Sequence, residues 1–314
     1  MKVTLKERRF PSATGNCKIR YRMWIPDEIR VAVQLTHGMA EHIDRYDTFA
    51  SFLAENGILV YGQDHAGHGK SVGEDLPKGY FCSEKGWDAL VNDMRTLFQS
   101  VKEEYPGIPF ILFGHSMGSF LARTYAGRFG EDFDGYIFCG TAGGNPALPI
   151  AKLIAKREIR KRGEKEPSPL LVALSFGSYN KPFKPNRTDF DWLSVNRDNV
   201  DRYIADDDCG FPFASSAMLD LFNGLSEISG KKWAKTVPTN RPILVISGGD
   251  DPVGNMGKGV RQVTTWLKNT GHDTEMILYK GYRHEILNEE IAGQVSNDIL
   301  LFIETVAASG ELKK

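Results

Sequence analysis

Apolar residues in this chain come in short runs, separated by longer stretches in which they recur every three or four positions. The runs Val31 to Leu35, Ile58 to Gly62, Phe110 to Phe113, Gly135 to Cys139, Pro242 to Ser247 and Glu275 to Tyr279 have the length and composition of core strands. Asn16 to Pro26 alternates apolar and polar positions and predicts an antiparallel strand ahead of them. Between the runs the period changes. Trp87, Leu90, Val91, Met94, Leu97, Phe98 and Val101 fall on one helical face, and Val295, Ile299, Phe302, Ile303 and Val306 do the same near the end of the chain. Strand runs alternating with helical segments predict an α/β fold, a mostly parallel central sheet flanked by helices.

That rhythm lapses between about Gly143 and Thr239, where prolines, basic residues and aromatics mix without clear strands. Residues 1–142 and 240–314 are therefore expected to form one core, and 143–239 an inserted, mainly helical cap. Inside the cap, Leu148 to Arg162 gathers Leu148, Ala151, Ile154, Ala155 and Ile159 on one side of a helix. Lys152, Lys156, Arg157, Arg160 and Lys161 take the other. Such a segment is either a lid helix packed on the core, or one that makes transient contact with an anionic membrane surface. The tail, Ser309 to Lys314, is expected to fray.

Composition narrows the function classes. With 314 residues, 41% of them hydrophobic, the chain can bury a large core. Its net charge of -1 lacks the basic excess of a nucleic-acid binder, and a small or amphiphilic ligand fits better. Cys17, Cys82, Cys139 and Cys209 are far apart, with no C-x-x-C pair. They read as free thiols of a reducing compartment rather than as a zinc knot. Met1 to Phe10 contains no apolar export run and no later stretch is long and apolar enough to span a bilayer, so a cytoplasmic protein is expected. Oligomeric state leaves no trace in the sequence.

The strongest chemical signal is Gly114-His115-Ser116-Met117-Gly118, which directly follows a strand run and precedes the helical Phe120, Leu121, Tyr125 and Ala126. That is the setting of a nucleophile elbow, a turn too tight for side chains two residues either side of the serine. The helix behind it aims N–H groups at a developing oxyanion, so the Met117 amide is one expected donor. Thr36-His37-Gly38-Met39 follows an earlier strand and offers the Met39 amide as the second. A hydroxyl needs a base and the base an orienting carboxylate, in the chain order Ser, Asp, His. Gly248-Gly249-Asp250-Asp251-Pro252 and Tyr282-Arg283-His284-Glu285 both follow strand runs. His284 is the expected base. Either Asp250 or Asp251 is the orienter, and Asp251 is preferred because the glycines and Asp250 complete the turn before it.

Taken together, Thr36 to His42, Arg45-Tyr46, Asp64 to Ser71, Gly114 to Gly118 and Arg283 to Asn288 resemble the monoglyceride lipase and lysophospholipase group of α/β-hydrolases. The resemblance covers the core on both sides of the cap. It implies Ser116, Asp251 and His284 as triad, the Met39 and Met117 amides as oxyanion hole, and a mobile cap that admits an acyl chain. The chain departs from the group where Met39-Ala40 replaces a smaller pair, and where Asp251 is followed by Pro252-Val253 without the cysteine of the animal enzymes. Both departures bear on chain-length preference.

Other features have plainer expected roles. His65 and His68 are three apart in a glycine-rich turn with no thiol or carboxylate to complete a ligand set, so no metal is expected there. Glu41 and Arg45 form an i,i+4 pair beside the oxyanion loop, with His42 and Tyr46 nearby. The expectation is a cofactor-free serine hydrolase acting on a small acyl ester, monoacylglycerol or lysophospholipid. An aminopeptidase or thioesterase on the same triad is the alternative within the class, and a non-catalytic ligand receptor the alternative outside it.

Overall fold

The computed structural model describes residues 2–311, without the side chains of 309–311. Eight strands form one sheet: β1 (Val3–Pro11), β2 (Lys18–Pro26), β3 (Val31–Thr36), β4 (Ile58–Gln63), β5 (Phe110–His115), β6 (Gly135–Cys139), β7 (Ile243–Gly248) and β8 (Thr274–Tyr279). Their order is β1-β2-β4-β3-β5-β6-β7-β8, with the pairings of β1 and β2 antiparallel and all others parallel. The predicted runs coincide with β3 to β8, and Asn16 to Pro26 contains β2.

Among the described residues ten α-helices accompany the sheet: α1 (Asp47–Glu55), α2 (Gly86–Glu104), α3 (Met117–Phe129), α4 (Leu148–Arg162), α5 (Pro169–Phe176), α6 (Arg197–Ala205), α7 (Ser215–Glu227), α8 (Lys231–Ala234), α9 (Lys258–Lys268) and α10 (Ala292–Glu311). Strand residues alternate between two buried clusters. Val31, Val33, Leu35, Ile111 and Phe113 pack with α1 and α10 on one face, while Ala32, Leu112, Phe138 and Val245 pack with α2, α3 and α9 on the other. Because both faces are covered, these strands read as continuous apolar runs rather than as alternation. The helix α10 enters the tail expected to fray, and residues 312–314 lie outside those described.

The strand β1 was not legible in the sequence. It sits at the sheet edge with nearly all its side chains exposed, so no apolar face marks it, and Lys6, Glu7, Arg8 and Arg9 guard the open edge instead. Between β6 and β7 the described residues form helices and turns but no strand of the sheet. In α4 the apolar side looks inward: Leu148 and Ala155 are buried, and Ala151, Ile154 and Ile159 half-buried. Exposed apolar surface comes instead from Ile150 and Leu153 of α4 and from Leu170 and Leu174 of α5.

Candidate active site

The middle strand β5 runs straight into α3 through Ser116, whose backbone is held at φ 54°, ψ -122°. A side-chain-bearing residue pays for such a conformation unless its surroundings impose it. Here they do. A Cβ on Gly114 would collide with the Gly118 carbonyl, and a Cβ on Gly118 with the carbonyl of Thr36 at the end of β3. The turn can close only with glycine at both places, and closing it brings the loop after β3 against the serine. The Ser116 amide donates to Cys139 O at 2.9 Å, fixing the elbow to β6.

His284 lies in the loop after β8 and is 2% exposed. Its Nδ1 is 2.9 Å from Asp251 Oδ2, in the loop after β7. Asp251 is fully buried; its Oδ2 also accepts from Ser247 Oγ at 3.1 Å and its Oδ1 from the Val253 amide at 2.8 Å. The adjacent Asp250 is exposed and reaches Tyr282 O only through its backbone amide. Burial opposes ionisation of both partners. It is outweighed in Asp251 by the His284 charge and hydrogen bonds, which hold the carboxyl below its usual range, and in His284 by Asp251, which raises the imidazole above its usual value. The His284 ring is packed between His115, at 4.7 Å, and Trp192, at 5.3 Å. Burial and the nearby His284 charge push His115 down to about 3, so it stays neutral beside His284. Among the described residues no hydrogen bond joins Ser116 Oγ to His284, although both side chains line one cavity. Catalytic contacts in unliganded enzymes are often loose in this way.

Met39 and Met117 line the same cavity next to Ser116. The loop carrying Met39 is held from below by a network larger than the expected i,i+4 pair. Glu41 Oε1 accepts from the Gly38 amide at 2.6 Å and from Tyr46 Oη at 2.9 Å, and Oε2 accepts from Arg45 at 2.7 Å. The Arg45 guanidinium then makes two parallel bonds of 2.7 Å to Glu285, the residue after His284, which also accepts from Asn199 of α6. One largely enclosed cation thus joins the loop carrying Met39, the loop carrying His284 and the segment after β6. Nothing in the sequence pairs residues 240 positions apart, so Glu285 could not have been found from spacing alone. Behind the loop, His37, His65 and His68 cluster with their rings tilted to one another, His37 and His65 centred 4.2 Å apart. Burial, with the neighbouring histidines adding to it, holds His65 near 3 and His68 near 4, so both are neutral packing groups.

Arg45→Met is expected to destabilise the fold strongly, because it strands two nearly buried carboxylates. Breaking such a pair costs about 3–5 kcal/mol, readable as a fall in the urea midpoint at pH 7. The pH dependence has a definite sign. Burial would raise the Glu285 carboxyl, but Arg45 outweighs it and holds it at about 2. A depressed acid contributes stability above its unfolded value, about 4.3, and loses it as pH falls towards the folded value. The parent's stability should decline between roughly pH 4.5 and 2, and Arg45→Met should lose part of that slope. An unchanged slope would remove the ion pair from the stability account.

The cavity measures about 1170 Å³, above the range of about 300–1,000 Å³ usual for drug-sized ligands. Its walls beyond Ser116 come from the segment after β6 and are largely apolar: Ile154, Leu171, Leu174, Phe222 and Leu225.

Comparison with known proteins gives the same picture from a separate direction. The pattern of the Hydrolase_4 family, described as serine aminopeptidase S33, matches residues 27–291. The chain is 28% identical over 298 residues to the monoacylglycerol lipase of Mycolicibacterium smegmatis, covering 93% of this chain and 95% of that one. It is 26% identical to the human monoglyceride lipase, covering 92% and 87%. Among solved structures, a thermostable carboxyl esterase from Bacillus coagulans, in complex with glycerol, superimposes with a TM-score of 0.89 at 31% identity, covering 98% of this chain and all of that one. With its eight-stranded sheet, its elbow serine and a family match over most of its length, the chain belongs to the serine aminopeptidase S33 (Hydrolase_4) family of α/β-hydrolases and is a serine hydrolase.

Proposed function

We propose that this enzyme hydrolyses single-chain acyl esters, monoacylglycerol above all, through Ser116, His284 and Asp251, with the Met39 and Met117 amides as oxyanion hole and residues 143–239 as the cap that selects substrate. The observation that carries this reading is the buried Asp251–His284 pair set beside the strained Ser116, in a cavity walled by apolar cap residues. In this mechanism His284 takes the Ser116 proton as Oγ attacks the ester carbonyl, and the two amides stabilise the oxyanion. His284⁺ then protonates the departing alcohol. Water, deprotonated by the same histidine, releases the acid and restores Ser116.

The family's descriptive name raises the aminopeptidase reading, which requires an acidic group to hold the substrate's ammonium. Of the carboxylates lining the cavity, Glu41 and Glu285 are both committed to Arg45, and Asp189 is exposed to solvent. An apolar acyl chain suits these walls better, and the monoacylglycerol lipases among the relatives support the same substrate class. A panel of monoacylglycerols, lysophospholipids, short esters, a thioester and an aminoacyl amide tests the proposal. Highest kcat/KM is expected on a monoacylglycerol; preference for the aminoacyl amide would overturn it. Labelling by a fluorophosphonate probe separates any enzyme from a non-catalytic receptor.

No helix among the described residues is long and apolar enough to cross a membrane. Contact with a lipid surface would fall to the exposed apolar residues, Leu153 at 68% and Leu170 at 48% among them. Neither lines the cavity. Leu153→Ser with Leu170→Ser is therefore expected to lower hydrolysis of vesicle-borne monoacylglycerol several-fold while sparing a short soluble ester. Equal rates on both substrates, with vesicle co-sedimentation unaltered, would leave the cap as a lid only.

A further inference from the structure

The segment after β6 meets the oxyanion side of the site at a second place, apart from the Arg45 network. His42 follows the loop that carries Met39, and Asp206 to Cys209 form the turn that leaves α6. In this turn the Cys209 amide donates to Asp206 O at 2.9 Å and the Asp208 amide to Asp206 Oδ1 at 2.8 Å. That arrangement aims the other carboxylate oxygen at His42, whose Nε2 is 2.8 Å from Oδ2. The free thiol of Cys209 comes to the same side, so that one imidazole nitrogen, one carboxylate oxygen and one sulfur all lie within 4.8 Å of one another.

From this convergence we infer that His42, Asp206 and Cys209 are a binding site for zinc. Nitrogen, oxygen and sulfur together make a ligand set for a borderline-soft cation, whereas calcium and magnesium take oxygen alone. Asp206 and Cys209 stand at the x₂ spacing by which paired zinc ligands share a tight turn, and His42 supplies the third ligand from a distant element. His42 and Asp206 are half-buried, which leaves water a route to the fourth tetrahedral position.

Charge fits as well. Zinc displaces the thiol proton to solvent, and the resulting thiolate and the Asp206 carboxylate balance its two positive charges. The nearby Arg45 does not oppose it at full strength, since Glu41 and Glu285 neutralise that guanidinium. Occupancy closes the proton count with one H⁺ released per zinc bound, beyond any taken from His42. Its mechanical effect is local: Tyr203 Oη and the Gly210 amide already bond to Ala40 O, each at 3.0 Å, and the metal adds a coordinate clamp across the same junction.

The experiment uses the full chain, free of any affinity tag, titrated with Co²⁺ as a spectroscopic stand-in and then with Zn²⁺ in competition. One equivalent of Co²⁺ is expected to give a thiolate-to-metal charge-transfer band that Zn²⁺ abolishes, and zinc should raise the melting temperature. Affinity should fall on the order of a hundredfold or more in Cys209→Ser and in His42→Gln, since even outer partners of a metal are worth about 10–100-fold. Asp206→Asn, which keeps the hydrogen bond to His42 but not the charge, should also bind weakly. Metal-free melting of each variant checks that it folds. Absence of the thiolate band in the parent, or an equal zinc-induced rise in melting temperature in Cys209→Ser, would show the three residues to be a hydrogen-bonded contact only.

Discussion

Ser116→Ala is expected to abolish ester hydrolysis while leaving the fold intact. The substitution deletes one half-buried hydroxyl that lines the cavity and removes no core packing. The strained turn also survives, because it is imposed by Gly114 and Gly118 closing on Thr36 rather than by the serine side chain. What the proposed mechanism leaves is binding and the two amides, and in triads of this type that residue of catalysis lies several orders of magnitude below the parent. Turnover of a short chromogenic ester, with melting temperature as the folding check, decides the matter. Activity within tenfold of the parent at unchanged melting temperature would mean that another group is the nucleophile.

Asp251→Asn and Asp250→Asn make the same chemical change at adjacent positions and should differ by orders of magnitude. Asp251 is buried against His284 Nδ1, where the proposed mechanism has it stabilise the imidazolium formed during attack; asparagine there offers no charge and can hold the wrong tautomer. The loss in kcat is expected to be on the order of 10⁴. Asp250 faces solvent, so its variant should stay near the parent. The pH profile supplies a second readout. In the proposed mechanism attack needs neutral His284, which Asp251 holds above the ordinary imidazole value of about 6.5, so kcat/KM of the parent should rise with pH through an ionisation above that value. With the Asp251 carboxylate gone only the weaker pull of Glu285 and Glu41 opposes burial, and the limb should move to lower pH in the residual activity of Asp251→Asn. A large loss at Asp250 instead would transfer the orienting role.

Much of this was legible because short-range physics wrote it into the chain. A strand buried on both faces must be an apolar run, so β3 to β8 were visible as runs. An elbow that tolerates no side chain at two places must carry glycine there, so Ser116 was visible as well. The edge strand β1 has no buried face and left no such mark. In α4 the helical projection found the correct inward side, but whether that side met the core or a lipid surface depended on what stood opposite, and α7 packs there.

For this protein, sequence alone determined the fold class and the strand-end positions of Ser116, Asp251 and His284, since each follows from local periodicity or from a backbone that only certain residues can adopt. Tertiary structure decided the pairings between distant parts of the chain. It placed Asp251 rather than Asp250 against His284, drew Glu41, Arg45 and Glu285 into one buried network, and set His42 beside Asp206 and Cys209. No local rule records such pairings, because the free energy of a charge pair or a ligand cluster depends on distance and burial, and both are properties of the folded chain.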